Sequence, residues 1–143
     1  MFQPHVYTPG FLTSVMLWGS YPLTQVYQHE EDVKRGDLTV SIRLGIQGTF
    51  LFSSLMFLFT AIAFAWYLLG RNQIEVLWVY LACMAPVVLF FFLWFTFVKK
   101  DPEKHVSYGW AMGMNWISAL ALNGFFLYYF FAHTQILQVI NQV

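Results

Sequence analysis

Charge is missing from long stretches of this chain. Ile46 to Leu69, Val76 to Val98 and Tyr108 to Phe131 run 24, 23 and 24 residues without an Asp, Glu, Lys or Arg. About 20 apolar residues, each rising about 1.5 Å along a helix, cross a hydrocarbon core about 30 Å thick. Each run is therefore long enough to span a bilayer as one helix. A fourth uncharged stretch, Pro9 to Tyr27, is 19 residues long and is interrupted by Pro22. Proline inside a membrane helix is tolerated where neighbours satisfy the carbonyl it frees. The pattern predicts an all-α, integral-membrane helical bundle of about four transmembrane helices. It forms a single domain, 1–143, with spans at about 9–28, 46–69, 76–98 and 108–136 and loops at about 29–45 and 99–107.

Composition points the same way. Of the 143 residues, 59% are hydrophobic, 21% aromatic and 10% charged, whereas a soluble domain carries about a quarter charged residues. The net charge is zero, so no basic surface argues for nucleic acid as a partner. Cys83 is the single cysteine and falls mid-span, which excludes a disulfide within the chain and reads as a small apolar filler. The opening MFQPHVYTPG lacks the basic n-region of a signal peptide, and neither repeats nor low-complexity segments occur.

The basic residues are unevenly spread. Lys34, Arg35 and Arg43 follow the first predicted span, Lys99, Lys100 and Lys104 follow the third, and Arg71 alone lies between the second and third. Four spans put the first and third loops on one side, which the excess of Lys and Arg assigns to the cytoplasm. The expectation is a multi-pass cell-membrane protein with both of those loops inside. If the first segment did not span, the two loops would keep their places.

YPLTQVYQHEEDVKRGD, residues 21 to 37, gathers four of the seven carboxylates and two of the seven Lys and Arg. If the first helix continues through it, Gln25, Gln28 and Asp32 stack on one face, because spacings of three and four residues are neighbours on a helix. Glu31 lies at the edge of that face, Lys34 and Arg35 fall in the next turn, and Gly36 is a candidate C-terminal cap. Mg²⁺ prefers one or two carboxylates plus substrate phosphates, and Lys and Arg suit a diphosphate. The same charges also fit a plain wet connector after a membrane span.

The stretch QHEEDVKRGDLTVSIRLG resembles the second acidic motif of the UbiA-type membrane prenyltransferases. In that family a helix ends in an Asp-x-x-x-Asp pattern, followed by a short basic segment, a Gly, a Thr and an apolar run ending in Leu-Gly. Here Asp32, Gly36, Thr39, Leu44 and Gly45 stand at the matching places, and Glu30 matches an acid often found inside the motif. The resemblance implies transfer of an isoprenyl group from a prenyl diphosphate to a membrane-soluble acceptor, often aromatic, with Mg²⁺ assisting diphosphate departure. It implies Asp32 as a metal ligand with Glu31 and Gln28 as helpers, and Lys34 and Arg35 on the diphosphate. Gln25, Asp37 and Asn115 are weaker candidates. Two departures stand out. The motif's first Asp falls on Gln28, a neutral oxygen donor. The family's first acidic motif, of the Asn-Asp-x-x-Asp-x-x-x-Asp kind, is absent from the sequence. The chain thus looks like the C-terminal half of such an enzyme, with a missing N-terminal half as partner. The alternative is a non-enzymatic membrane accessory subunit whose charged loop docks a soluble partner or lipid headgroups.

Other polar residues carry weaker expectations. Asn115, Ser118 and Asn123 lie inside the last span and are expected to face the bundle interior, where polar groups in membranes find partners. His29 adjoins the motif as a solvated loop residue or a diphosphate contact. His5 and His105 read as loop residues, and His133 lies near the far end of the last helix. No two histidines at matched depths suggest haem. The aromatic run at 87–97 reads as packing and lipid-facing surface, Tyr108, Trp110 and Trp116 as an interfacial belt, and Lys99 and Lys100 as headgroup contacts.

Overall fold

The computed structural model of the protein describes residues 4–133, with side chains from Tyr7 to Ala132. Helices α1 (Pro4–Gln25), α2 (His29–Arg35), α3 (Val40–Leu69), α4 (Ile74–Lys100), α5 (Pro102–His105) and α6 (Tyr108–His133) follow one another, with a 3₁₀ turn, Val26–Gln28, between α1 and α2. No strand occurs among the described residues. Two helices, α3 with 30 residues and α4 with 27, are long and apolar enough to cross a membrane. Residues 134–136 of the predicted last span lie outside the described residues.

The predicted loop at 29–45 is mostly helical, and local chemistry says why. Gly36 sits at φ 79°, a left-handed conformation that glycine adopts without penalty. Its N–H donates to Val33 O at 3.1 Å and that of Asp37 to Asp32 O at 2.9 Å, the paired bonds that close a helix in a Schellman motif. Thr39 then opens α3, its hydroxyl oxygen accepting from Ile42 N at 3.3 Å, as an N-cap does. One turn later Gly45, at φ 66° and ψ 174°, kinks the helix. The predicted loop at 99–107 is likewise shortened, since α4 runs to Lys100 and Asp101 Oδ1 accepts from Lys104 N at 3.2 Å to start α5.

The four long helices pack in chain order, α1 on α3, α3 on α4, α4 on α6, with α6 returning to α1. The closest pairs are α1–α3 and α4–α6. Small residues permit the first: a Cβ added at Gly19 would collide with the Met56 side chain. Ser53 Oγ donates to Gly19 O at 2.7 Å across the interface. Ser41, Thr49, Ser53 and Thr60 are all buried on α3. Where helices cannot gain from hydrophobic burial, such small and hydroxylated faces let backbones approach. The second pair closes where Gly113 faces Phe90, whose ring would lie 2.9 Å from an added Cβ.

Between the pairs, aromatic rings fill the centre. Phe50 meets Trp94 edge-on at 4.8 Å and stacks on Phe95 at 5.1 Å, while Phe64 stacks on Tyr80 at 5.0 Å and Tyr80 meets Phe125 at 5.2 Å. Offset and edge-on pairs of this kind add to their burial. The run at 87–97 is thereby divided: Val87, Phe91 and Trp94 are buried, while Val88, Leu89, Phe92 and Leu93 face outward.

Both polar connections lie at one end of the bundle. Tyr27 meets Tyr108 edge-on at 5.4 Å, and Trp94 Nε1 donates to His105 O at 2.9 Å. Arg71 is at the opposite end, its guanidinium 5.2 Å from the Tyr67 ring.

Candidate functional site

At the charged end, the helix feeding the acidic motif does not run unbroken. The 3₁₀ turn at Val26–Gln28 separates α1 from α2, and Gln28 has φ −96° and ψ 0°. A 3₁₀ turn advances about 120° per residue against about 100° for an α-helix. The expected straight ladder of Gln25, Gln28 and Asp32 is therefore rotated at its middle rung. Gln25 lies half-buried with its amide oxygen buried and without a hydrogen-bond partner. Gln28 is half-buried too, and its Nε2 donates to the Tyr27 hydroxyl at 2.9 Å.

Beyond the turn, α2 sorts its charges by face. Asp32, at 8% exposure, is the one buried carboxylate among the described residues. Glu30, Glu31, Lys34, Arg35 and Asp37 are exposed. Arg35 Nη2 meets Glu31 Oε2 at 3.2 Å with both side chains about two-thirds exposed, an i,i+4 surface pair worth little to stability. Glu31 is thus engaged with Arg35 and points away from the face that Asp32 occupies.

His29, three residues before Asp32, shares that inner face. Its Nε2 lies 2.5 Å from Ser41 Oγ. Burial pushes the imidazole below its usual 6.5, and the nearby Asp32 carboxylate pulls partly the other way. Ser41 is fully buried, with Thr49 Oγ1 3.4 Å from its hydroxyl and 2.8 Å from Gly45 O. His29 is therefore a bonded, half-buried residue rather than a solvated loop histidine. The cluster ties α2 to the kinked start of α3. Ser41 and Thr49 escaped the reading of the sequence, although Ser41, Gly45, Thr49 and Ser53 recur every fourth residue, the spacing of a small-residue helix face.

The polar residues of α6 are placed against expectation. Asn115 and Asn123 are exposed, and Asn123 Nδ2 donates to Ala119 O of its own helix at 2.8 Å. The inward stripe of α6 is Ala111, Met114, Leu122 and Phe125. Asn115 follows Met114 by one residue, which turns it about 100° off that stripe. Ser118 is half-buried. Trp110, expected in an outer belt, packs instead against Phe90 at 5.4 Å and Phe97 at 5.6 Å, whereas Tyr108 and Trp116 do face out. His105 lies in α5, stacked on Phe97 at 5.1 Å, His5 falls within α1, and His133 ends α6.

No group of three or more His, Cys, Asp or Glu side chains converges to hold a metal among the described residues. No family model, curated protein or solved structure matches the chain. The likeness to the UbiA-type motif rests on the motif's own residues.

Proposed function

We propose that the chain is a four-span membrane bundle forming part of a UbiA-like prenyltransferase, with the acidic end at the cytoplasmic face. The membrane half of this reading draws on α3 and α4. Only 28% of the most apolar window of each is buried, whereas the core helix of a soluble protein would be largely covered. Leu55, Leu58, Phe59, Ile62 and Trp66 of α3 are more than half exposed, an apolar surface that suits lipid and not water. The segments holding Lys34, Arg35, Arg43, Lys99, Lys100 and Lys104 lie at one end, the arrangement favoured for a cytoplasmic side.

One observation carries the catalytic half: Asp32 alone of the motif's acids turns inward, at the end of the bundle where the cations cluster. The donor set is hard and oxygen-based. It comprises the Asp32 carboxylate, the unpartnered Gln25 amide oxygen and the half-buried Gln28. One carboxylate with neutral oxygens fits Mg²⁺ held largely by substrate phosphates and water, and does not fit an all-protein cage. When bound, the metal would offset the charge that develops on a departing diphosphate. Asp32 supplies the fixed negative charge, Gln25 and Gln28 supply neutral oxygens, and the exposed Lys34 and Arg35 reach phosphate oxygens at the rim. Arg35 must release Glu31 to do so.

The test is binding of farnesyl diphosphate to the purified chain in nanodiscs, with and without Mg²⁺. Asp32→Asn should weaken Mg²⁺-dependent binding about tenfold or more, the scale of losing one charged contact. Equal binding in wild type and variant removes Asp32 from the site.

A second reading, a non-enzymatic subunit of a larger membrane complex, is favoured by the outward Asn115 and Asn123. Polar side chains at membrane depth call for a covering helix. In that case no Mg²⁺-dependent diphosphate binding is expected at all.

A further inference from the structure

A cavity of about 190 Å³ lies between α3 and α4, with Met16 of α1 against it. Met16, Phe57, Ala61, Met84 and Phe91 contribute to its walls. Two lining residues carry a hydroxyl, Ser54 and Tyr80, and that of Ser54 already donates to Phe50 O at 2.8 Å. A space with so few polar groups cannot give a water the roughly two to four partners it needs, and apolar cavities of about 150 Å³ stay dry and take up hydrocarbon.

Both ends of the cavity are stoppered by rings. Toward the acidic end, Phe50 packs on Trp94 and Phe95 one turn beyond Ser54 and Phe91. Toward the other end, Phe64 stacks on Tyr80, which in turn meets Phe125. No residue of the acidic motif lines the space. Its flank is different: Leu58, Val88 and Phe92 line it and are 58%, 47% and 56% exposed. These three lie near the middle of α3 and α4, the two helices long and apolar enough to cross a membrane. Whatever enters must therefore come sideways, from the hydrocarbon layer, and not along the bundle from the diphosphate end.

We propose that this cavity is a lateral binding site for a single hydrocarbon chain drawn from the surrounding bilayer. It rests on the membrane half of the function proposed above and is independent of the diphosphate chemistry. The chain is held by apolar contact alone, so a phospholipid acyl tail and a polyisoprenoid tail share the required chemistry. Its presence would fill the gap between α3 and α4, which meet there through the rings of Phe50 and Trp94, Phe57 and Phe91, and Phe64 and Tyr80.

The experiment is photolabelling of the chain in phosphatidylethanolamine nanodiscs. In one arm the lipid carries a mid-chain diazirine; in the other a diazirine-bearing polyprenol is doped in. Adducts mapped by mass spectrometry are expected to concentrate on Phe57, Met84 and Phe91. Ala61→Phe, which fills the space, should lower them about tenfold, the effect of excluding two methylenes from apolar burial. Ile62→Phe, on the outer face, should not. Labelling in the phospholipid arm, the polyprenol arm or both supports the site and identifies the source. Adducts spread evenly over outward residues such as Leu55 and Leu89, unchanged by Ala61→Phe, overturn it. Should Ala61→Phe fail to fold, excess unlabelled hexadecane must displace the inner adducts and spare the outer ones in the wild type; failure to do so overturns it equally. Asp32→Asn should label normally, and carbonate extraction reads the membrane assignment separately.

Discussion

His29 Nε2 and Ser41 Oγ, 12 positions apart in sequence, lie 2.5 Å from one another. The bond spans the Gly36–Thr39 connection and holds α2 back against α3. Without it, α2 would be fastened chiefly by its backbone connections, and nothing in its own pattern would keep Asp32 turned inward. The orientation of the candidate ligand thus depends on a histidine and a serine that bear no charge of their own.

This bond gives the protein a defined response to acid. Burial lowers the His29 pKa from 6.5, with Asp32 offsetting part of the shift. Below pH 6.5 the unfolded chain takes up a proton at this residue more readily than the folded one. Stability tied to His29 is therefore fully present above that pH and is lost as pH falls through the lowered value. Melting temperature in detergent should be level from pH 8 to about 6.5 and fall below it, with a smaller fall in His29→Gln. An identical fall in the variant would show that His29 is not the cause.

The two left-handed glycines around the motif differ in what they require. Gly36→Ala at φ 79° should cost about 1 to 2 kcal/mol, the penalty of a side chain in the left-handed helical region. Gly45 combines φ 66° with ψ 174°, a region almost reserved for glycine, and Gly45→Ala should cost about 1 to 3 kcal/mol. Neither added methyl would meet a neighbour within 4 Å, so both losses are conformational. Denaturant unfolding that ranks Gly36→Ala as the more damaging would contradict this order.

The α1–α3 contact should fail in a graded way. Gly19→Ala forces the Met56 side chain aside and, by overpacking, should cost about 1 to 3 kcal/mol. Ser53→Ala removes the bond to Gly19 O and should cost about 0.6 to 1.7 kcal/mol, the range for hydrogen bonds between membrane helices. Combined in one chain, the two should cost less than their sum, because a displaced Gly19 has already lost its Ser53 partner. Strict additivity in an unfolding titration would mean the helices do not meet there.

The surface acids should separate from the buried one. Asp37→Asn and Glu31→Gln should each change stability by no more than about 0.5 kcal/mol, since both residues are exposed and the Arg35 pair is solvated. Glu31→Gln frees Arg35 and should leave Mg²⁺-dependent farnesyl diphosphate binding intact or tighter. Weakening as large as that of Asp32→Asn would make Glu31 a direct ligand.

Several features were legible because they are local. A helix end at Gly36 follows from the left-handed preference of glycine after a basic last turn. The breaks at 70–73 and after Lys100 follow from polar residues punctuating apolar runs. The helical content of 29–45 was harder to read. Two capping residues, Gly36 and Thr39, bound a connection of only four residues where charge density alone suggested an open loop.

The candidate site was half legible. The residue types of an oxygen-rich, cation-flanked end stand in the sequence. That Asp32 faces in while Glu31 faces Arg35 does not, because one residue along a helix is about 100° of rotation and the 3₁₀ turn before α2 resets the starting angle. The same arithmetic turned Asn115 outward when Met114 became the inward residue of α6.

Charge-free runs, glycine and threonine act on the backbone within a few residues, so the sequence by itself determined that the chain is helical and where most helices stop. Which side chains meet was decided only by tertiary structure. The approach of α1 to α3 at Gly19, the Gly45 kink and the rings of Phe50 and Trp94 fix how each helix is rotated. Rotation about a helix axis leaves the backbone bonds unchanged, so its angle is set by neighbouring helices and not by local preference.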